Sequence, residues 1–504
     1  MSDIDKYRIV KLLMDDKYLQ AIPHIEEIIN KFKSDYHLDN QRMLMYAYLG
    51  GGLCYFNIFK QNKNKSKNKK KNKNYIKGKN KDNLDKAIRY LKDGLLLAST
   101  LVDEEQFQKT KINVQNLLAH CYLIGGKTYQ ENQDAYFNEF FELKKQRYSK
   151  IFNDDKNSEL YSLIIDILSV LNITPAELGK TPLAHYTSAN VLPLLFGLSD
   201  SQKLVKISSM RMNSATYMND PSEGKSLLEL LNQPELNLEN KVDFSPTNAF
   251  FACFSSRVND LNQFRLYGRE DEVEASGCCL VFNKKGSWIK EPRIESAYQN
   301  MRNSSTLVSM ESIAEEKLSP QELPLYQIAY ITYQDDYITK DSRTCEKLTS
   351  ANSQTFLVSL ERFGKNVRFY NFRRKKLANA LNQLIRYFSE NNISDKDKKD
   401  ALEYIRYLFK DFAFRDEKEF RLLKIADLSS DEIKICEKTQ SIYIPYADIS
   451  GMVDEVILGT NYEKISQNRK VEILRYRLKH NYPDIQVSQS TLPINANLPV
   501  KKTN

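Results

Sequence analysis

The absence of proline over a long stretch constrains the fold of this chain more than any other feature. The first proline is Pro23 and the next is Pro175, and between them apolar residues recur at three- and four-residue spacing. That spacing places apolar side chains on one face of an α-helix, whereas a proline would interrupt it. We therefore expect residues 1–175 to be helical throughout.

A weak internal repeat divides this helical region. The small-x3-large-x2 pattern of residues 21–28 recurs at 87–94, and a large-small-large set, Tyr48, Gly52 and Tyr55, precedes the second copy. Small residues let two helices approach each other, and large ones fill the gap between neighbours. The region resembles degenerate tetratricopeptide repeats. Such repeats imply a groove for a protein target, a platform for the rest of the chain, or both.

A lysine- and asparagine-rich segment interrupts the repeat. Tyr55 and Ala87 are 32 residues apart, whereas the repeat places them about nine apart. The surplus, residues 61–83, cannot bury apolar area, so we expect a disordered insertion in the turn of one hairpin. The insertion either has no role or tethers an anionic partner.

The same segment explains the formal net charge of +9. Eleven lysines and no acidic residue lie between Lys60 and Lys81, and the basic and acidic residues of the remaining chain nearly balance. The charge therefore does not describe a basic folded surface, and we do not expect nucleic acid as a partner.

The pattern of residue types changes after Pro175, Gly179 and Pro182, which end the helical pattern. Beyond them, short runs rich in β-branched and aromatic residues predict strands, among them AFFACFS at 249–255 and EFRLLKIA at 419–426. Strands mixed with helices indicate an α+β domain. The predicted organisation is an all-α helical-repeat domain at 1–175, a mixed domain at 181–485 with a helical insertion at 352–410, and a flexible tail at 486–504.

Several chemistries lack their sequence signatures. The chain has no GxxxxGK[ST] phosphate loop, no GxGxxG, no HExxH zinc motif and no GxSxG elbow, and its seven cysteines form no CxxC pair. No apolar run approaches the ~20 residues that span a bilayer, and acidic residues interrupt the N-terminus where a signal peptide would be apolar. We expect no metal and no membrane contact. The location would be the cytoplasm, or the cytosol of another cell into which the protein is delivered.

Four polar segments adjoin the predicted strands. They are LAHYTS at 183–188, RMNSATYMNDPSE at 211–223, FACFSS at 251–256 and DEKEFR at 416–421. Each is weak alone. With GCCLVF at 277–282 and VILG at 456–459, however, their order over about residues 181–480 resembles that of the bacterial domain of unknown function family 2971. One departure is that Phe264 and the run Leu266-Tyr267-Gly268 stand where that family has a Trp and a Tyr-Ala pair, which implies an altered pocket wall.

That family looks like a branch of the ADP-ribosyltransferase fold, and the resemblance implies NAD as substrate. His185 and Tyr186 match the first element of such enzymes, Ser255 matches the second and Glu419 the third. Glu417 completes an ExE pattern, and alternation along a strand would turn both carboxylates to one side.

The resemblance also implies roles for these residues. Glu419 would stabilise the oxocarbenium-like cation formed when nicotinamide leaves, and Glu417 would orient or deprotonate the acceptor. His185 would form a hydrogen bond with the adenosine ribose, and Tyr186 would pack on nicotinamide. Ser255 would belong to the second element.

The segment around residue 215 implies further NAD contacts. Tyr217 would also pack on nicotinamide, and Arg211 would pair with a diphosphate oxygen. Asn219 and Asp220 form either part of the site or a turn before a helix.

Three functions follow as hypotheses. The first is an NAD-dependent ADP-ribosyltransferase that modifies a macromolecule, with the helical repeats recognising a protein target. The second is an NAD glycohydrolase. The third is a non-catalytic scaffold of helical repeats and a degenerate domain.

Overall fold

A computed structural model describes the chain except residues 1–2, 67–72, 101–104, 149–157, 199–207, 218–222, 237–246, 272, 283–322, 334–344, 438, 447, 467–468 and 495–504. Helices dominate the N-terminal part and sheets the C-terminal part, so the expected α+β class is confirmed. The chain divides into two compact units, Met1–Lys144 and Lys145–Asn504.

The described part of the first unit consists of helices joined by short turns. Its helices are α1 (Asp3–Met14), α2 (Tyr18–Phe32), α3 (Leu38–Ser66), α4 (Lys73–Thr100), α5 (Glu105–Thr128) and α6 (Gln133–Gln146). Glycines allow α3 and α4 to pack closely, because a Cβ on Gly52 would lie 2.6 Å from Cγ of Leu91 and one on Gly94 would lie 2.7 Å from Cδ2 of Leu49. The predicted small residue at position 52 thus lies where two helices touch.

The lysine-rich segment is a correction to the sequence analysis. Residues 61–66 continue α3 and residues 73–83 belong to α4, so these parts of the expected disordered insertion 61–83 are helical. Residues 67–72 lie outside the described part of the chain. Two long helices in place of a short hairpin accommodate the surplus residues, because lysine and asparagine are tolerated on solvent-facing helix positions.

The second unit begins upstream of the predicted boundary at residue 175. Its helix α7 (Ser158–Leu171) packs against a helix more than 190 residues later, α12 (Val367–Glu390). The short helix α8 (Pro175–Leu178) follows, and Thr174 and Glu177 close its first turn as a reciprocal capping box. The remaining helices of the unit are α9 (Leu192–Leu195), α10 (Ser226–Leu230), α11 (Leu261–Leu266), α13 (Asp395–Glu403) and α14 (Val471–Asn481).

Fifteen strands occur in the described part of the second unit. They are β1 (Asn172–Ile173), β2 (Leu183–Thr187), β3 (Arg211–Ser214), β4 (Thr247–Ser255), β5 (Cys278–Phe282), β6 (Leu325–Gln327), β7 (Ala329–Tyr333), β8 (Cys345–Thr349), β9 (Thr355–Leu360), β10 (Phe409–Asp411), β11 (Glu419–Asp427), β12 (Lys434–Cys436), β13 (Ser441–Pro445), β14 (Val453–Leu458) and β15 (Gln486–Gln489).

The larger sheet has the order β1-β6-β11-β4-β2-β5-β14-β15, and β3, β13 and β12 branch from β4. Its centre is the long antiparallel pair β4 and β11, which runs in register from Ser255 opposite Glu419 to Thr247 opposite Asp427. Most residues of these two strands are buried, and the rest are partly buried. Such burial on both faces suits their apolar and aromatic runs.

A second sheet, of order β10-β7-β9-β8, corrects the prediction for residues 352–410. Helices α12 and α13 lie there as expected, but β9 occupies 355–360 and the segment ends in β10. A flexible tail at 486–504 was also expected. Residues 486–489 instead form β15, which pairs parallel to β14, and residues 495–504 lie outside the described part. Among the described helices, none is long and apolar enough to cross a membrane.

Candidate functional site

A cavity of about 390 Å³ opens beside the centre of the larger sheet. It brings together every described residue of the predicted site: His185, Tyr186, Arg211, Tyr217, Ser255, Glu417 and Glu419. Asn219 and Asp220 lie outside the described residues. Residues more than 200 positions apart in the chain thus face one space.

The sheet places the three predicted elements on adjacent strands. In β2, Ala184 is opposite Ser255 of β4, and Ser255 is in turn opposite Glu419 of β11. The three segments therefore form one row across the sheet, with His185 and Tyr186 next to its first member. Neighbouring strands lie about 4.8 Å apart, so the three segments are close enough to face one ligand.

Glu417 and Glu419 approach each other by a different route from the one expected. Glu419 begins β11, but Glu417 ends a 3-10 helix, Phe412–Glu417, and does not belong to the strand. Between them Lys418 has a left-handed backbone, with φ of 46°, a conformation that is uncommon for a residue with a Cβ. This turn, rather than strand alternation, brings both carboxylates to the cavity.

Glu419 is held by a buried arginine. The guanidinium of Arg421 donates from Nε to Oε1 of Glu419 over 2.6 Å and from Nη2 to Oε2 over 3.1 Å. The same guanidinium donates to both oxygens of Glu223, over 2.5 and 3.0 Å, and stacks 4.3 Å from the ring centre of Phe251. Because planar forks of this kind fix geometry as well as charge, Glu419 has little freedom to turn.

Lys410 contacts the same two carboxylates as Arg421 and, in addition, Glu417. Its Nζ lies 2.7 Å from Oε2 of Glu417, 3.1 Å from Oε2 of Glu419 and 3.9 Å from Oε2 of Glu223. Glu417 also accepts a hydrogen bond from the hydroxyl of Tyr267. We call Glu223, Lys410, Glu417, Glu419 and Arg421 the charge cluster. It contains three carboxylates and two cations, so it carries one excess negative charge when all five are ionised.

The pKa values of the two carboxylates of the ExE pattern shift in opposite directions. Burial alone raises the pKa of Glu419, but the charges of Arg421 and Lys410 outweigh it and lower that pKa to about 2. Burial and the neighbouring charge of Glu419 raise the pKa of Glu417, and Lys410 opposes them only in part. Glu419 is therefore the permanent anion, whereas Glu417 is the carboxyl better suited to exchange a proton.

Ser255 supports Glu417 through the backbone. Its hydroxyl donates to the carbonyl of Glu417 over 2.5 Å and accepts from the backbone N–H of Arg257 over 3.0 Å. Both hydrogen bonds are made to backbone groups of the chain itself, so Ser255 positions the turn that carries Glu417. Its side chain also faces the cavity.

His185 and Tyr186 form the wall of the cavity next to β4. Nδ1 of His185 donates to the carbonyl of Cys253 over 2.8 Å, and burial lowers the pKa of the ring, so His185 is neutral. The hydroxyl of Tyr186 donates to the carbonyl of Arg257 over 2.7 Å and accepts from the N–H of Asp260 over 2.9 Å. Tyr186 therefore offers its ring rather than its hydroxyl to the cavity.

Arg211 and Tyr217 lie at the mouth. The guanidinium of Arg211 stacks 4.1 Å from the ring centre of Tyr443 on the paired strand β13. Tyr217 is 48% exposed. A cation fixed on an aromatic ring beside an exposed tyrosine can accept an anionic group that extends out of the cavity.

Among the lining residues outside the predicted site, four belong to the charge cluster or contact it: Glu223, Tyr267, Lys410 and Arg421. Arg421 could have been found, since it follows Glu419 by two positions in one strand and so faces the same side. Lys410 had a weaker signal, a lysine that directly follows the apolar residues Leu408 and Phe409. Glu223 and Tyr267 lie in the quoted NDPSE and LYG segments, but neither shows its partner in the sequence.

The comparisons with known proteins give no relative. No protein-family model, no curated protein and no solved structure matches the chain.

Proposed function

We propose that the cavity binds NAD and that the chain transfers ADP-ribose from NAD to a macromolecular target. The observation that carries this proposal is the row of three elements on β2, β4 and β11, which open into one cavity beside a buried ExE pair. These are the same three elements that the resemblance to the ADP-ribosyltransferase fold implies.

The electrostatics of the charge cluster favour cleavage of the nicotinamide–ribose bond. As that bond breaks, positive charge develops on the ribose. Glu419 stays ionised at neutral pH because its pKa is about 2. Its partners neutralise it only in part, since the cluster has one carboxylate more than it has cations. While Glu417 is ionised, this excess of negative charge beside the ribose stabilises the transition state more than the ground state.

The shape of the cavity suits the nicotinamide end of NAD. At about 390 Å³ it lies at the small end of ligand sites, which run from about 300 to 1,000 Å³. Nicotinamide would pack on the ring of Tyr186, and the diphosphate would pass Arg211 at the mouth. Tyr217, half exposed there, would cover the part of the ligand that leaves the cavity.

The reaction would proceed by one bond exchange. The C–N bond between ribose and nicotinamide breaks, and nicotinamide leaves as a neutral base with the electron pair. A lone pair of the acceptor forms the new bond to the ribose carbon, and the acceptor's proton passes to the carboxylate of Glu417. If water is the acceptor, the same steps give an NAD glycohydrolase.

Incubation of the protein with adenylate-labelled NAD and candidate targets tests the proposal. We expect nicotinamide release and label on a macromolecule, and loss of both in Glu419→Gln. The matched control is Glu432→Gln, because Glu432 pairs with Lys424 of the same strand β11 and does not line the cavity. Nicotinamide release without labelled macromolecule would identify a glycohydrolase, and no release with any target would refute NAD chemistry.

One observation favours the non-catalytic alternative. Arg421 occupies both oxygens of Glu419 in the described state, as in a structural ion pair. In a scaffold this pair would only hold β11, and the helical unit would bind the partner. That function predicts no heat of NAD binding in calorimetry and a partner that co-purifies through residues 1–144. NAD binding with a Kd in the micromolar range would argue against it.

A further inference from the structure

Lys410 lies where sequence analysis expected only a helical insertion. It belongs to β10, the edge strand of the second sheet, and is 5% exposed. A lysine ammonium has three donors and no acceptor, and three carboxylates surround this one at 2.7, 3.1 and 3.9 Å. The second sheet thus delivers a cation to the cavity of the first.

Glu417 depends on this cation more than Glu419 does. Among the described residues, Lys410 is the one cation in ion-pair contact with Glu417, whereas Glu419 also has Arg421. The other titratable groups that face Glu417 are the carboxylate of Glu419 and the phenols of Tyr267 and Tyr330. Of all these neighbours, Lys410 is the one whose charge favours the ionised carboxylate.

We propose that Lys410 is a positioning residue of the site, which keeps Glu417 ionised and its carboxylate turned to the cavity so that it can take the acceptor's proton. This inference rests on the proposed function. With Lys410 on one carboxylate oxygen and Tyr267 on the other, Glu417 is fixed between β10 and the loop after α11. The proton that it receives leaves to solvent after the new glycosidic bond has formed.

The pH profile of NAD turnover tests the inference. Glu417 must be ionised to act, so kcat rises with pH through the pKa of Glu417. Loss of a contacting cation raises a carboxyl pKa by about one to three units. In Lys410→Met we therefore expect the acidic limb of the kcat profile to move up by that amount, with KM for NAD little changed. Lys410→Arg, which keeps the charge, should restore the limb.

Lys424→Met is the matched control. Lys424 is also a buried lysine paired with a glutamate, Glu432, but it does not line the cavity. A merely structural loss would lower kcat at all pH values in both variants and leave the limb in place. A limb that is the same in wild type and Lys410→Met overturns the proposal. Lys410→Gln serves the same purpose if Lys410→Met does not fold.

A second measurement does not depend on turnover. Carboxyl resonances of ¹³C-labelled glutamate can be followed against pH, and the signal lost in Glu417→Gln identifies Glu417. We expect its midpoint to rise in Lys410→Met and to stay in Lys424→Met. A midpoint shift without NAD turnover by wild type would refute the proposed function and support the coupling. Coinciding midpoints in wild type and Lys410→Met would refute the coupling, whatever the turnover.

Discussion

Replacing Arg421 by Met should destabilise the second unit strongly. Arg421 is 1% exposed and holds both oxygens of Glu223 and both oxygens of Glu419. Methionine keeps much of the apolar stem but leaves these two buried carboxylates to Lys410 alone. The expected change is therefore dominated by uncompensated charge rather than by lost packing.

Two arguments give the size of the effect. Removing one partner of a buried ion pair costs about 3–5 kcal/mol. The pKa of Glu419 falls from 4.5 to about 2 in the folded chain. Each unit corresponds to about 1.4 kcal/mol, so Arg421, Lys410 and the other partners of this carboxylate together contribute about 3 kcal/mol in excess of the cost of burial. We expect Arg421→Met to lower the free energy of unfolding by about 3–5 kcal/mol at neutral pH.

Urea denaturation followed by circular dichroism measures this loss. Since the folded pKa of Glu419 is depressed, its stabilisation is present above pH 4.5 and is lost as the pH falls towards 2. The difference between wild type and Arg421→Met should therefore shrink in that acidic window. The double variant with Glu223→Gln removes one orphaned carboxylate and should recover at least about 1 kcal/mol. A loss of stability below about 1 kcal/mol at pH 7 would refute the reasoning, because that is the contribution of a solvent-exposed ion pair.

Three further predictions concern single side chains. Hydrogen bonds from Thr439 and Arg211 lower the pKa of Cys436 to about 7, whereas burial raises the pKa of Cys253 well above its ordinary value. At pH 7, Cys436 should therefore react with iodoacetamide at least about tenfold faster than Cys253. Equal rates measured by mass spectrometry would contradict this. His185, whose pKa burial lowers, should titrate in NMR with a midpoint below that of an ordinary histidine, about 6.5, and a midpoint at or above 6.5 would refute its neutral assignment. Tyr186→Phe removes two part-buried hydrogen bonds, to the carbonyl of Arg257 and from the N–H of Asp260, and should cost about 1–3 kcal/mol in urea unfolding. An unchanged midpoint would show that its hydroxyl is dispensable.

Periodicity in the sequence located many of the elements. The described part of the proline-free stretch is helical apart from short turns and strand β1 near its end, and AFFACFS and EFRLLKIA lie in the two central strands β4 and β11. These patterns succeed because each strand or helix is selected by neighbours close in sequence. The prediction of disorder for the lysine-rich segment was wrong for a related reason. Composition measures the lack of apolar burial, but it does not record that each half extends a helix already nucleated by a packed neighbour.

The second sheet shows the limit of local patterns. Its strand β9 lies in a segment that predicted a helix, and β10 is only three residues long. Strands this short are stabilised by pairing partners far along the chain, here β7 for both. No local pattern within the segment specifies that pairing.

The sequence by itself determined the residue types at the site and the order in which they come. Tertiary structure alone decided how these residues meet: the turn at Lys418 separates Glu417 from the strand of Glu419, and Lys410 and Glu223 arrive from distant elements to complete the charge cluster. The physical reason is that the protonation of a buried carboxylate depends on charges within a few ångströms. Those distances are set by the packing of two sheets, not by spacing along the chain.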